Sequence, residues 1–522
     1  MKPIATDIYT FSNLIGRKCL YVDKTGILLQ FLGETGGKQF FFSRPRRFGK
    51  SLTVTTLQAV FEGRRDLFKG LAIDRSDYDW KAHPVIRLDM SMTAAETVEE
   101  FNRQVLFNLQ SEARRLNLPF DGALPVASAF QKLVLDAAAS SDSGLAVLLV
   151  DEYDKPLLGH LGRPTVEAFR AALKSFYSVI KGMEAVLRFT FITGVSKFSK
   201  VSIFSDLNNL TDLTMDARAA TLAGYTHEEV RANFAEHLAA LGAANGLTPE
   251  GAFDRVVQMY DGYRFHHAAE PVFNPVSLGR CLADGEFRQY WYETGTPTFL
   301  VDMLKRRPVD ISEVEVSEAD LGTYEPSRPS LVPLLYQTGY LTIKGFRTDE
   351  EGDRTYTLGF PNMEVEKAFC DSLVRVYVET GDELAYTRMR LDCRAALREH
   401  RLADFFEGLK PVFADIPYDL TDRQNEQTWQ AILVVIMRFL GLRVIPESRT
   451  NKGRIDFVVE FPREVYVAEV KLDRTAQEAI GQIKEKGYAE RYRASGRRVT
   501  LLGINFSSKR REIDGVLAVE AT

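Results

Sequence analysis

Gly49, Lys50 and Ser51 stand in a row at the end of the stretch SRPRRFGKS, Ser43 to Ser51. A lysine just inside a helix N-terminus, preceded by glycine, lets backbone N–H groups and a cation converge on phosphate oxygens. The neighbouring Ser51 hydroxyl suits a Mg²⁺ ion held against those phosphates. Further along, the apolar run Leu145 to Val150 ends in Asp151 and Glu152. Acidic residues at the tip of a buried strand complete such a site, Asp151 in the metal shell and Glu152 polarising an attacking water. The plain alternative for this acidic pair is the capping of a helix. One position departs from the usual G-x-x-x-x-G-K-[ST] pattern, because Arg44 stands where the first glycine belongs. Glycine permits positive φ and close phosphate approach, and arginine permits neither easily. Pro45 stiffens the loop further, whereas Arg44, Arg46 and Arg47 add cationic donors where anions are expected. A third run, RFTFITG, leads into Thr193, Gly194 and Ser196, which could sense a terminal phosphate, although turns carry such residues for local reasons.

A second chemical pattern lies in RIDFVVEFPREVYVAEVK, Arg454 to Lys471. Two alternating strands flank Pro462 and Arg463. With those two residues as the turn, Phe461 faces Glu464, and Asp456 lies opposite Glu469 on one face of the sheet. Lys471, two residues beyond Glu469, shares that face. Two carboxylates and a lysine converging there suit metal-dependent phosphodiester hydrolysis: the carboxylates hold Mg²⁺ or Mn²⁺, and the lysine orients water and stabilises developing charge. The competing reading is a solvated strand face with a cross-strand charge pattern. The basic stretch Lys484 to Arg498, with Tyr488 and Tyr492, is either a track for a DNA backbone or a solvated amphipathic helix.

The elements that must position these residues are legible as alternating runs. Strand-like segments at Gln39 to Phe42, Val85 to Leu88, Ala146 to Val150 and Arg188 to Ile192 are separated by helical patterns. That alternation predicts a parallel α/β sheet buried on both faces. A helical stretch from Thr226 to about Arg306 follows, then an acidic, Pro- and Ser-containing connection to Ser330. LVPLLYQTG, YLTIKGF, RTDEEGDR, TYTLGF and a helix from Asn362 outline a winged-helix module, expected to act as a lid, with DNA binding as the alternative. From Ile416 the pattern is helix, strand hairpin, helix, strand.

A chain of 522 residues exceeds a single core. With 45% hydrophobic and 26% charged residues it has an ordinary globular composition, and a net charge of −5 gives no global basic field. Four scattered cysteines fit neither a disulfide framework nor a zinc cluster. With no signal pattern and no apolar run of spanning length, a cytoplasmic location without membrane contact is expected.

The stretches LYVDKTGILLQFL, FFFSRPRRFGKSL, LLVDEYDKPLL, ITGVSKFSK, YDGYRF, NPVSL and YWYETGTPTFL resemble the AAA-ATPase-like family of bacterial proteins, over residues 7 to 305. The resemblance implies that RPRRFGKS is the usual form of the loop and Arg44 a family variant. RTNKGRIDFVVEF, VYVAEVKL and AQEAIGQIKEKGYAERY resemble the C-terminal PD-(D/E)XK nuclease-like domain that accompanies this family, from Asn425 to Ile504. It implies metal-binding roles for Asp456 and Glu469, a catalytic role for Lys471, a supporting role for Gln482, and Glu426 as an additional acidic ligand. The motif usually begins Pro-Asp, and here Ile455 precedes Asp456.

The expected organisation is a P-loop ATPase core over 1–215, a helical lid over 216–306, a linker and winged-helix-like module over 307–378, a helical connection over 379–415, and an α/β restriction-endonuclease-like domain over 416–522. ATP and Mg²⁺ are the expected cofactors, with Mn²⁺ an option at the second site. DNA is the expected partner, and homo-oligomerisation stays open. The expected function is an ATP-binding ATPase fused to a metal-dependent deoxyribonuclease gated by ATP. The alternative is a nucleotide-switched binding or signalling protein with weak ATP hydrolysis and a non-cleaving nuclease-like domain. An esterase is disfavoured by the lack of a G-x-S-x-G elbow.

Overall fold

A computed structural model of the chain describes residues 1–33, 38–197, 209–291, 314–322, 330–377, 383–414, 426–440, 442–450, 453–461, 463–493, 496–510 and 512–521. Residues 292–300 and 198–200 of the quoted motifs, and Asn425 and Pro462, lie outside the described residues. The chain forms two compact units, Met1–Trp291 with Glu315–Met363, and Tyr292–Val314 with Glu364–Thr522.

The first unit is built on a five-stranded sheet of order β2-β3-β4-β1-β5. Its strands are β1 (Gln39–Ser43), β2 (Val85–Asp89), β3 (Ala146–Asp151), β4 (Leu187–Gly194) and β5 (Thr211–Asp212). Every pairing is parallel, as the strand–helix alternation predicts. β1 and β3 are buried at every position, so helices cover both faces and the strands read as continuous apolar runs. Phe40 and Phe42 of β1 pack on Phe189 and Phe191 of β4, with ring centroids 5.4 and 5.8 Å apart. Each such buried ring contributes roughly 1.5–3 kcal/mol through apolar area alone. β5 is two residues long, too short to announce itself in the sequence.

The covering helices follow local rules. Helix Val98–Arg115 starts at Thr97, whose side chain accepts the Glu100 N–H, and buries Phe101, Val105 and Leu109 at four-residue spacing. Helix His227–Asn233 opens with a capping box between Thr226 and Glu229. Among the described residues of the expected linker are β6 (Val314–Ser317) and the short helix Glu318–Gly322. β6 joins β7 (Thr342–Thr348) and β8 (Arg354–Gly359) in a three-stranded sheet of order β6-β8-β7. The preceding helix, Leu331–Thr338, ends at Gly339 with φ +87°. A Cβ there would lie 2.7 Å from Pro45, so this helix end seats directly on the Arg44–Ser51 loop.

The second unit carries a mixed five-stranded sheet of order β13-β12-β11-β10-β9. Its strands are β9 (Arg443–Thr450), β10 (Gly453–Glu460), β11 (Glu464–Leu472), β12 (Arg498–Ser507) and β13 (Glu512–Glu520). β10 and β11 form the expected antiparallel hairpin, and β11 runs parallel to β12 through the crossover helix Ala476–Glu485. Phe461 N–H donates to Glu464 O at 2.8 Å, closing the hairpin as the two-residue turn requires. Cys281, Cys370 and Cys393 are buried, and Cys19 is half-buried. Among the described residues no helix is long and apolar enough to cross a membrane.

Candidate functional site

Two sites emerge, one in each unit. In the first, Gly49 caps helix Lys50–Phe61 with φ +89°, a left-handed conformation that glycine adopts without strain. The helix N-terminus, with its unpaired N–H groups, therefore opens where β1 ends. Lys50 is 4% exposed, and its Nζ donates to the carbonyls of Arg44 and Pro45, both at 3.0 Å. Ser51, the second residue of this helix, lies near enough to Asp151, the last residue of β3, to favour its charged form. Burial pushes the Asp151 carboxyl up to about 6; Ser51 and Lys50 oppose the rise, and Glu152 and Asp89 add to it. Glu152 sits at φ +52°, and its N–H donates to Asp151 Oδ1 at 3.0 Å. Neither residue caps a helix through its side chain, so the capping alternative does not describe them.

A cavity of about 320 Å³ opens beside the loop. Its polar side is Arg47, Lys50, Ser51, Thr53 and Glu152, and its apolar side includes Ile4, Ile8, Leu20, Leu222 and Val276. The buried Lys24 also lines it, paired with Glu229 at 2.6 Å.

The three arginines divide. Arg44 corrects the expectation of a third phosphate-facing cation, because its guanidinium is buried among main-chain carbonyls and is not part of the cavity wall. Arg47 has φ +67°, lines the cavity and donates to Tyr290 O at 2.9 Å. Arg46 is half-buried and does not line the cavity.

The β4 exit is held by the acidic run. Asp154 is fully buried and accepts the Ser196 N–H at 2.6 Å and the Val195 N–H at 3.2 Å. Tyr153 N–H donates to Thr193 O at 3.0 Å, and Tyr153 OH donates to Ser196 O at 3.0 Å. A Cβ on Gly194 would lie 2.5 Å from both Tyr153 and Asp154, so only glycine fits between them. The Thr193 and Ser196 hydroxyls are buried and have no hydrogen-bond partner among the described residues.

In the second unit, the register fixes the site. Phe457 pairs with Ala468 and Val458 with Val467, which continues to Asp456 beside Glu469 as the hairpin predicts. Asp456 Oδ2 accepts the Val470 N–H at 2.7 Å, and the Asp456 carbonyl accepts from Gln430 Nε2 at 3.0 Å. Lys471 Nζ lies 3.1 Å from Glu469 Oε1 and 3.2 Å from Glu426 Oε1, Glu426 being the first residue of helix Glu426–Phe439. The Gln482 amide, from helix Ala476–Glu485, donates to Glu469 Oε1. All five expected residues are thus brought together. The side chains of Glu469 and Lys471 are 2% and 7% exposed, a burial of charge that seldom serves stability. Burial pushes the Glu469 carboxyl up to about 7, with Asp456 adding to the rise and Lys471 opposing it. Burial alone would lower the Lys471 ammonium, but Glu469 and Glu426 outweigh it and hold it above its ordinary value.

Glu469 Oε2 is buried with no hydrogen-bond partner among the described residues, an acceptor that a cation would satisfy. Among those residues no three His, Cys, Asp or Glu side chains form a ready-made cage, so an ion here would need water or substrate oxygens as further ligands. Tyr488 and Tyr492 are buried with Val465, Val467 and Ile483 in the core of this unit, which removes them as a surface for stacking bases.

Comparison with known proteins finds a family match in each of the two regions. A family profile described as predicted AAA-ATPase matches residues 4–204, and one described as PD-(D/E)XK nuclease superfamily matches residues 424–515. Over 533 aligned positions the chain is 37% identical to an "Uncharacterized protein in vnfD 5'region" of Azotobacter chroococcum mcd 1, covering 98% of each chain. The chain belongs to the AAA-ATPase-like family. It joins an AAA-ATPase-like domain to a PD-(D/E)XK nuclease superfamily domain.

Within this AAA-ATPase-like chain some site residues escaped the sequence reading. Asp89 ends β2 directly in register with Asp151. Its signal was a strand run closing on an acid, the same signature that singled out Asp151. The Ile4–Tyr9 segment and the Lys24–Glu229 pair had no local signal, since their role depends on segments far apart in the chain.

Proposed function

We propose that the protein binds ATP through the Arg44–Ser51 loop, hydrolyses it, and cleaves DNA at the Asp456–Glu469–Lys471 site. The single observation that carries the cleavage reading is Lys471 held between Glu469 and Glu426, beside a buried Glu469 oxygen that has no partner among the described residues. At the first site Lys50 and the N-terminal N–H groups of its helix bind phosphate oxygens, releasing Lys50 from the Arg44 and Pro45 carbonyls. Ser51 and Asp151 are the ligands suited to Mg²⁺, and Glu152 orients the attacking water. The apolar side of the neighbouring cavity suits an adenine base.

At the second site Asp456 and Glu469 would hold Mg²⁺ or Mn²⁺, with Glu426 as a more distant acid. Such an ion supplies Lewis-acid polarisation of the scissile phosphate and a more acidic bound water. Lys471 holds its proton beside Glu469 and so offers a cation to the charge developing on the phosphate. Gln482 orients the Glu469 carboxylate. The presence of both sites in one chain motivates control of cleavage by nucleotide state.

Incubation of linear and supercoiled DNA with Mg²⁺, with and without ATP, tests the proposal. Cleavage abolished by Asp456→Ala and altered by ATP is expected. DNA binding without any cleavage would instead favour a nucleotide-switched binding protein.

A further inference from the structure

We infer that Arg44 is a positioning residue of the nucleotide site, holding the main chain of the phosphate loop from its non-phosphate side. The inference rests on the nucleotide-binding reading above. Arg44 is 1% exposed. Its Nη1 donates to Ser43 O at 2.8 Å and Thr214 O at 2.7 Å, and its Nη2 donates to Ala219 O at 2.9 Å. The guanidinium carbon lies 4.4 Å from the Phe42 ring centroid and 4.1 Å from that of Phe265. The cradle therefore joins β1, the segment after β5, and the YDGYRF motif.

A guanidinium buried against carbonyls and aromatic faces, with no carboxylate in contact among the described residues, is costly to desolvate. Burial pushes it down to about 9, which still leaves it charged at neutral pH. What it secures is visible on the backbone of the same residue. Arg44 N–H donates to Gly194 O at 3.2 Å, and Arg44 O accepts from Lys50 Nζ at 3.0 Å. One residue thus connects the cradle, the β4 exit and the phosphate-binding lysine. The next turn of the loop rests on the same motif, with Phe48 packed 4.7 Å from Tyr263 and 5.3 Å from Phe265 between ring centroids.

The consequence is contrary to the motif. Arg44→Gly recreates the usual G-x-x-x-x-G-K-S sequence, yet it removes every cradle contact and frees a loop that was fixed. The test measures MgATP affinity of the full chain by calorimetry for wild type, Arg44→Gly, Arg44→Lys and Lys50→Ala, with melting temperature recorded for each. Arg44→Gly is expected to weaken MgATP binding by about tenfold or more. Arg44→Lys should retain part of the affinity, and millimolar guanidinium ion should restore binding to Arg44→Gly but not to Lys50→Ala. A glycine variant that binds MgATP as tightly as wild type overturns the inference. So does a loss that neither lysine nor guanidinium ion repairs. If wild type itself does not bind MgATP, or Lys50→Ala binds unchanged, the nucleotide reading fails instead.

Discussion

Lys471 and Glu469, two residues apart on β11, point to the same face, and Nζ lies 3.1 Å from Oε1. Period-two alternation demands the shared face, and the hairpin brings Asp456 to it from β10. Both charges are buried, and Glu426 supplies a further carboxylate to the lysine at 3.2 Å. A solvated strand face would leave such groups in water. The burial argues for a built site.

Removing Lys471 should therefore damage cleavage more than folding. For Lys471→Met, which keeps the length of the stem, DNA cleavage should fall on the order of 10²–10³-fold, the scale of losing one charge-stabilising group. Cleavage rates measured beside circular dichroism check this. A variant with native spectrum and unchanged rate contradicts the role.

Glu469 makes the metal-free protein sensitive to pH. Its carboxyl is raised to about 7 from an ordinary 4.5, so between those values the folded state binds more protons than the unfolded. Stability supplied by this group is complete below about 4.5 and is lost as pH rises through about 7. In EDTA, the melting temperature should fall over that window, and Glu469→Gln should flatten the fall. Mg²⁺ should raise the melting temperature more at pH 8 than at pH 5 if Asp456 and Glu469 hold it.

The hairpin register was readable because one two-residue turn dictates every pair, and Phe461 N–H to Glu464 O bears that turn out. The four long strands of the parallel sheet were readable as apolar runs, each matching within about two residues. Arg44 was not readable, since its acceptors Thr214 and Ala219 lie 170 and 175 residues away. Tyr488 and Tyr492 failed for a different reason. A basic stretch with two tyrosines looks the same whether its aromatic rings meet DNA or a sheet. Here Tyr488, in the turn after helix Ala476–Glu485, and Tyr492, in the short helix Glu490–Arg493, pack in the core with Val465 and Val467.

Gly194 is the tightest point between the two acidic-run residues and the β4 exit. Gly194→Ala places a Cβ 2.5 Å from Tyr153 and Asp154, and overpacking of that kind costs about 1–3 kcal/mol. Denaturant unfolding should show that loss, together with weaker MgATP binding because the Arg44 N–H loses its acceptor position. Wild-type stability in this variant contradicts the packing account.

Lys50 holds two loop carbonyls at 3.0 Å, which it would exchange for phosphate oxygens in the proposed nucleotide complex. Lys50→Ala should weaken MgATP binding by about 10–100-fold, the worth of a charged hydrogen bond. Calorimetry with ATP checks the value, and equal affinity for wild type and variant contradicts it.

The most direct measurement of the central claim is Mg²⁺-dependent cleavage of DNA by the full chain, wild type against Asp456→Ala, with and without ATP. The account predicts cleavage by wild type that responds to ATP, and none by Asp456→Ala. Cleavage that persists in Asp456→Ala, or its absence from wild type under every nucleotide and metal condition, would contradict it.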